Sequence, residues 1–323
     1  MGNASGTSLP YEITTPLEYQ KSEWKLHIGV KKDEKREEVV IFKYTKTPNE
    51  DKNNYIPAQR NIQKLRTIKH PFILTYIDSL EVDDSILLVT EQCIPLSTWI
   101  TNNNSTATTT NDNNNSNTNT RLLSEIVWGL RCLLDALTFL HNTCHIMHGY
   151  IDINSIFVCK NGDWKFGALD LSCNMNNVDD RIFYTSNLTM LDDRYTSPER
   201  IQMKNMTKNE LLHIDNNLII LQNTSDIYSL SIVIQYILTT MNITPTTTIS
   251  RCLKKMAMPE FKKRPSAGQA LRHLTTGTQL NLLSQLNELA IKSPSESISI
   301  LTEITEHICD VPVSACHYKV CGV

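Results

Sequence analysis

The densest run of side chains able to hold a metal is His307, Cys309, Cys316, His317 and Cys321. Imidazole and thiolate are zinc ligands, but these spacings form no paired Cys-x-x-Cys, so no zinc site is expected. The nine cysteines are scattered and odd in number, which argues against a disulfide framework and for a reduced, cytosolic protein. At the other end, Met1-Gly2-Asn3-Ala4-Ser5-Gly6 approaches the signal for myristoylation of Gly2, with glycine where the sixth position calls for Ser or Thr. Acylation of Gly2 and a plain flexible terminus both stay open. One myristoyl chain binds membranes only marginally, and no basic residue precedes Lys21, so a second anchor would come from a partner.

The elements around such groups follow from pattern. The chain has 323 residues, a formal net charge of −3 and 40% hydrophobic residues. That suffices for a sizeable core and lies just past the length at which single cores divide, which predicts one two-lobed domain plus a remainder. No apolar run approaches the ~18 residues of a membrane span. Residues 1–20 carry no Lys or Arg and no apolar stretch, so they read as a flexible terminus rather than a signal peptide. The near-neutral charge argues against nucleic acid as the main partner.

Residues 101–120 contain nine Asn and seven Thr and cannot offset the entropy of ordering, so they read as a disordered insert. Before it, residues 21–100 read as a small sheet with one helix. Its strands lie within 24–45, at 73–78 and at 85–90, and the helix at 57–69 carries Ile62, Leu65 and Ile68 on one face. After it, residues 121–275 begin with an amphipathic helix from Leu122 to His141. Short strands near 156–159 and 163–167 follow, joined by Lys160-Asn161-Gly162, and then a mostly apolar, buried helix at 226–240. In 276–323, Leu280, Leu283 and Leu286 make one stripe and Ile298, Leu301, Ile304 and Ile308 a second, the latter behind the capping box Ser293-Pro294-Ser295-Glu296. That hairpin reads as the start of a helical repeat array.

This order of elements resembles a protein kinase domain over roughly residues 24–275. His70-Pro71, Thr90-Glu91, Ser197-Pro198-Glu199, Asp226 and Arg264-Pro265 stand where that family has them. The resemblance implies an α+β bilobal fold with a small β-rich N-lobe and a helical C-lobe. It also implies a buried ion pair between Glu199 and Arg264, and an Asp226 that holds the catalytic-loop backbone.

Kinase chemistry needs donors for phosphates, acids for magnesium and a carboxylate that orients the attacking hydroxyl. Between Trp24 and Val40 the only glycine is Gly29, so no glycine-rich loop is expected there. Reading Val40 to Lys43 as the strand motif puts Lys43 on the phosphates. Reading Val39 to Phe42 puts Phe42 there and Lys43 on the opposite face. The lysine's helix partner falls on Asn61, and residues 52–77 hold no Asp or Glu. In the catalytic loop, His148 to Ser155, Tyr150 stands for the base, Asp152 for the lysine and Ser155 for the magnesium-binding Asn, a role Asn154 reaches only by a shift. Tyrosine, with a pKa of about 10, is a poor base. The magnesium Asp falls on Ala168, and Asp170 could replace it only by a two-residue shift.

A closer resemblance is to the Scy-like (Scyl) pseudokinases, carried by WKLHIGVKK (24–32), LRTIKHPFILTYIDSLE (65–81), NGDWKFGALDL (161–171) and CHYKV (316–320). It implies an inactive kinase domain followed by HEAT-type repeats. It further implies partners among coat or adaptor proteins such as COPI or clathrin, and peripheral work on Golgi or endosomal membranes. The residues leave two rivals: an atypical active kinase using Lys43 and Asp170, and an inactive fold that still binds ATP beside Thr90 and Glu91.

Overall fold

The computed structural model describes residues 10–19, 24–46, 52–82, 84–107, 115–174, 176–207, 210, 223–275 and 292–306. Gly2, the His307 to Cys321 run and the leucine stripe at 280–286 lie outside them. Five antiparallel strands, β1 (Tyr11–Leu17), β2 (Trp24–Lys31), β3 (Glu38–Thr45), β4 (Tyr76–Val82) and β5 (Ser85–Thr90), form a sheet in the order β1-β2-β3-β5-β4. The helix α1 (Lys52–Thr67) packs against β4 and β5. A second sheet joins β6 (Cys93–Pro95), β7 (Ile156–Cys159) and β8 (Trp164–Phe166) in that order. Eight further helices are described: α2 (Leu96–Ala107), α3 (Asn115–Asn142), α4 (Val178–Ser186), α5 (Pro198–Lys204), α6 (Asn223–Thr240), α7 (Thr247–Met256), α8 (Ala267–Thr275) and α9 (Pro294–Glu306). The result is the bilobal α+β fold expected, a sheet-rich lobe joined to a helical one.

Strand alternation divides the first sheet into two faces. Val40, Phe42 and Tyr44 of β3 join Ile86 and Leu88 of β5 in the large core shared with the helical lobe. Val39, Ile41, Leu87 and Val89 instead gather on the outer face under Tyr11. That outer cluster explains β1, which corrects the expectation of a flexible terminus through residue 20. Tyr11 is buried there and pairs with Lys31 in β2. The sequence signal was broken by Pro16, which an edge strand accommodates beside the register shift between Ile13 and Pro16.

A second correction concerns the Asn/Thr-rich stretch. Helical turns enter it from both sides, through residue 107 in α2 and from residue 115 in α3, so only 108–114 lies outside the described residues. Trp99 and Ile100 anchor α2 in the core, and extending an anchored helix costs far less than nucleating one. Asn103 adds a side-chain bond to the Trp99 carbonyl at 2.9 Å. The terminal stripe is corrected too. The α9 capping box forms between Ser293 and Glu296, but the helix packs through Ile300, leaving Ile298 66% and Leu301 41% exposed.

In the helical lobe Ile227, Leu230, Val233, Ile234 and Ile237 of α6 are fully buried beside α3, as an all-round apolar helix requires. The second sheet rests on α3 where Trp164 lies against Gly129. A Cβ at Gly129 would come 2.1 Å from the indole Cδ2. Gly129→Ala should therefore cost about 3 kcal/mol by overpacking, read as a lower urea midpoint at unchanged slope.

Candidate functional site

The first turn of α6 carries Asp226 into the interior. Its fully buried carboxylate accepts from the backbone N–H of His148 at 2.7 Å and of Gly149 at 3.1 Å, and from Nη2 of Arg200 at 2.9 Å. Nε2 of His141 lies 3.0 Å away. Burial alone would raise this carboxyl, but Arg200 and then His141 outweigh it and hold it well below the usual range. Successive N–H groups converge on one acceptor because Gly149 takes a φ of 78°. A Cβ there would also meet the Leu171 carbonyl oxygen at 2.6 Å.

The loop that follows closes on itself. Tyr150 is buried beside Met147, Leu171 and Tyr184. Asp152 turns its Oδ1 to the Asn154 N–H at 2.7 Å, and Ser155 Oγ donates to the Asp152 carbonyl at 2.9 Å while accepting its N–H at 3.0 Å. Ala168 sits in the left-handed region at φ 51°, and Asp170 is buried within the 3₁₀ turn Leu169–Leu171 that follows. Asn61 of α1 accepts the Leu169 N–H at 2.9 Å. Asn61 therefore holds the turn with a neutral amide. One residue earlier, Arg60 reaches Asp180 of α4 at 2.9 Å and the Ser172 carbonyl at 3.2 Å, with its guanidinium 4.2 Å from the Phe183 ring centroid.

The cleft between the lobes is aromatic. Phe42 enters it from β3, edge-on to Phe157 of β7 at 5.4 Å. The register reading that puts Phe42 in the cleft is the one observed, and Lys43 as a phosphate-binding lysine is overturned. Lys43 lies on the outer face opposite Lys25, where its charge, after burial, is the next largest influence lowering the His27 pKa. The cause is alternation: Phe42 belongs with Val40 and Tyr44, so its neighbour must face away.

Tyr19, just after β1, supplies the other wall. The glycine-rich position lies here and not between Trp24 and Val40. It reads Glu18-Tyr19-Gln20-Lys21-Ser22-Glu23, again without glycine. Tyr19 places its ring 6.4 Å from Phe42 and 6.1 Å from Phe157, and its hydroxyl donates to the Asn154 carbonyl at 2.7 Å. Gly29 instead sits within β2, where a Cβ would come 2.5 Å from Ile41 Cδ1. Thr90 is fully buried and donates to the Glu91 carbonyl at 3.2 Å. The Glu91 carboxylate accepts Lys165 Nζ at 2.7 and 2.8 Å and the Thr75 N–H at 2.8 Å.

These residues do not fit a magnesium nucleotide. The side chains that meet in the cleft, Tyr19, Phe42 and Phe157, offer neither a cation for phosphates nor a carboxylate for magnesium. Tyr19, Phe157 and the Arg60–Asp180 and Glu91–Lys165 pairs were absent from the sequence reading. Only an expected β1 strand could have pointed to Tyr19.

Two lobes, an aspartate-held loop and a buried glutamate–arginine anchor define a protein kinase domain. The chain belongs to that family, whose protein kinase domain model matches residues 28–299. Within it the chain is similar to Scy1 and its relatives. It is 31% identical over 194 residues to the "Probable inactive serine/threonine-protein kinase scy1" of Dictyostelium discoideum, covering 59% of this chain and 21% of that one. A mouse protein named as associating with the carboxyl-terminal domain of ezrin is 30% identical over 133 residues, 41% of this chain and 15% of its own. Human SCY1-like protein 2 is 26% identical over 162 residues, 48% and 17% respectively. The chain thus spans about a fifth of the length of these relatives.

The anchor makes a pH prediction. Glu199 binds Arg264 through two bonds of 2.6 and 2.8 Å and accepts the Ser225 hydroxyl. Burial would raise its pKa, but Arg264 and Ser225 lower it from 4.5 to about 2. Its contribution, ~3 kcal/mol, is therefore complete above the unfolded value and lost as pH falls through the folded one. Glu199→Gln should be less stable than wild type near neutrality. The gap should narrow as urea titrations are taken from about pH 6 to about pH 3; a constant gap would contradict the assignment.

Proposed function

We propose that this kinase domain is catalytically inactive, binds neither ATP nor magnesium, and works as a protein scaffold. The observation that carries this reading is the filled cleft, where Tyr19, Phe42 and Phe157 pack on one another in the space between the lobes. Three further positions point the same way: Asn61 in place of the activating glutamate, Tyr150 in place of the base and Ala168 in place of the metal ligand. The name of the Dictyostelium relative as an inactive kinase supports it. The rival that uses Lys43 loses its cation to the outer face of the sheet, and Asp170, its metal ligand, is buried inside a turn.

Thermal unfolding with ATP tests this. A ligand that binds only the folded chain adds about 2.7 kcal/mol at a hundred times its dissociation constant. No rise in Tm is expected with or without magnesium, and Lys43→Met should leave both Tm and background phosphotransfer unchanged. A magnesium-dependent rise lost in Asp170→Asn would reinstate the active kinase.

For the biological setting, the Scy-like sequence stretches support a scaffold in membrane traffic, working with coat or adaptor proteins at Golgi or endosomal membranes. The ezrin-associating relative supports protein partners in general. No described helix is long and apolar enough to cross a membrane, so membrane contact in this reading is peripheral and drawn from partners or from an acyl group on Gly2. Expressed in cells, the tagged chain should sediment with Golgi or endosomal membranes and co-purify with COPI or clathrin subunits. Recovery without either coat, from the soluble fraction alone, would remove traffic from the proposal and leave the scaffold.

A further inference from the structure

The strand that connects the lobes carries a paired thiol. Cys93 of β6 stands directly opposite Cys159 of β7. The type of pairing follows from the hydrogen bonds of Cys159. Its N–H donates to the Asp163 carbonyl at 2.9 Å, and its carbonyl accepts from the Gly162 N–H at 2.9 Å. Both groups therefore point to the β8 side, and none is left for β6. In an antiparallel ladder that makes Cys93–Cys159 a non-hydrogen-bonded pair, the close type, with Cα atoms about 4.5 Å apart. Pro95 confirms the phase. Two residues on, it faces Phe157 at the next such position, where a residue without an N–H loses nothing.

Directly opposed residues share one face of a sheet, so the two side chains are neighbours there. Their electrostatics agree, since each thiol feels Glu91 and Lys165, and Cys159 feels Cys93. A disulfide accepts Cα separations of about 4.4–6.8 Å, which includes this one. Both cysteines are free and buried, at 4% and 7% exposure. Burial holds each thiol well above its usual pKa, so neither is a thiolate near neutrality.

We propose that Cys93 and Cys159 form a modification site, a cross-strand dithiol that a peroxide converts reversibly to a disulfide tying the interlobe strand β6 to β7. In the chemistry, the minor fraction of one thiol that has lost its proton attacks hydrogen peroxide through sulfur, breaking the O–O bond, and that proton joins the departing hydroxide, giving a sulfenic acid and water. The second thiol then attacks that sulfur, forming the S–S bond and releasing a second water. Two thiols are thus oxidised by two electrons and one peroxide is reduced to two waters. A thiol reductant reverses the step by exchange.

The test treats the folded full chain with hydrogen peroxide, blocks residual thiols, and maps non-reduced peptides by mass spectrometry. A Cys93–Cys159 linked peptide pair is expected, released by dithiothreitol and lost in both Cys93→Ser and Cys159→Ser. The oxidised chain should show a higher Tm than the reduced one. Peroxide that yields only sulfinic or sulfonic acid at either position would overturn the proposal. So would a cross-link from either cysteine to a different one. Failure of the pair to react while Cys144, the half-exposed thiol, is consumed would overturn it as well.

Discussion

Three elements of the helical lobe converge on one buried negative charge at the start of α6. Asp226 has no exposure, and an unpaired carboxylate in that position would cost several kcal/mol. It is tolerated because two backbone N–H groups, a guanidinium and an imidazole all address it. Together these four donors tie three elements to α6. His148 and Gly149 bring the loop, Arg200 brings α5, and His141 brings the end of α3. The demand also runs backwards into sequence. Gly149 is required because the second N–H reaches Asp226 only through a positive φ, and Arg200 supplies the guanidinium that pairs with the buried charge.

Aromatic side chains from both lobes meet in the cleft between them. Phe42, Tyr19 and Phe157 form edge and tilted contacts across the cleft, each aromatic pair worth about 0.5–1.5 kcal/mol beyond its burial. Asn61 replaces a charged link to the turn after β8 with one amide bond, which carries no desolvated charge. Arg60 and Asp180 then fasten α4 to α1 at a half-buried site, where an ion pair keeps more of its strength than on the open surface. These contacts link the two lobes through the chain's own side chains.

Legibility followed physical type. The long apolar helix at 226–240, the strand at 39–44 and the anchor residues were readable because burial imposes periodicity and because a buried charge needs a partner of fixed type. β1 was missed since Pro16 and a register shift break its alternation, and its burial comes from residues far along the chain. The helical ends of the Asn/Thr-rich stretch were missed for a related reason: composition describes an isolated segment, whereas these turns are extended from anchored helices. The face of Lys43 was undecided by sequence because two apolar registers overlapped. Only the pairing of Val40 with Thr90 and of Phe42 with Leu88 separates them. Tyr19 and the Glu91–Lys165 pair arise from contacts across 135 and 74 positions, which no local pattern encodes.

The division between kept and lost residues follows from where the energy is needed. Glu199, Arg264 and Asp226 act on the folded chain itself, and removing one partner of such a buried pair strands the other at a cost of about 3–5 kcal/mol. The positions at 42, 61, 150 and 168 matter in an enzyme chiefly to a ligand and its metal. Without that ligand, a lysine, a glutamate or an aspartate there would carry the cost of a desolvated charge. Phenylalanine, asparagine, tyrosine and alanine are buried in their place at no such cost. The substitutions are thus coupled through the cleft: once Phe42 and Tyr19 fill it, a restored Ala168→Asp would gain no metal, and its charge would be buried beside Leu169 and Asp170.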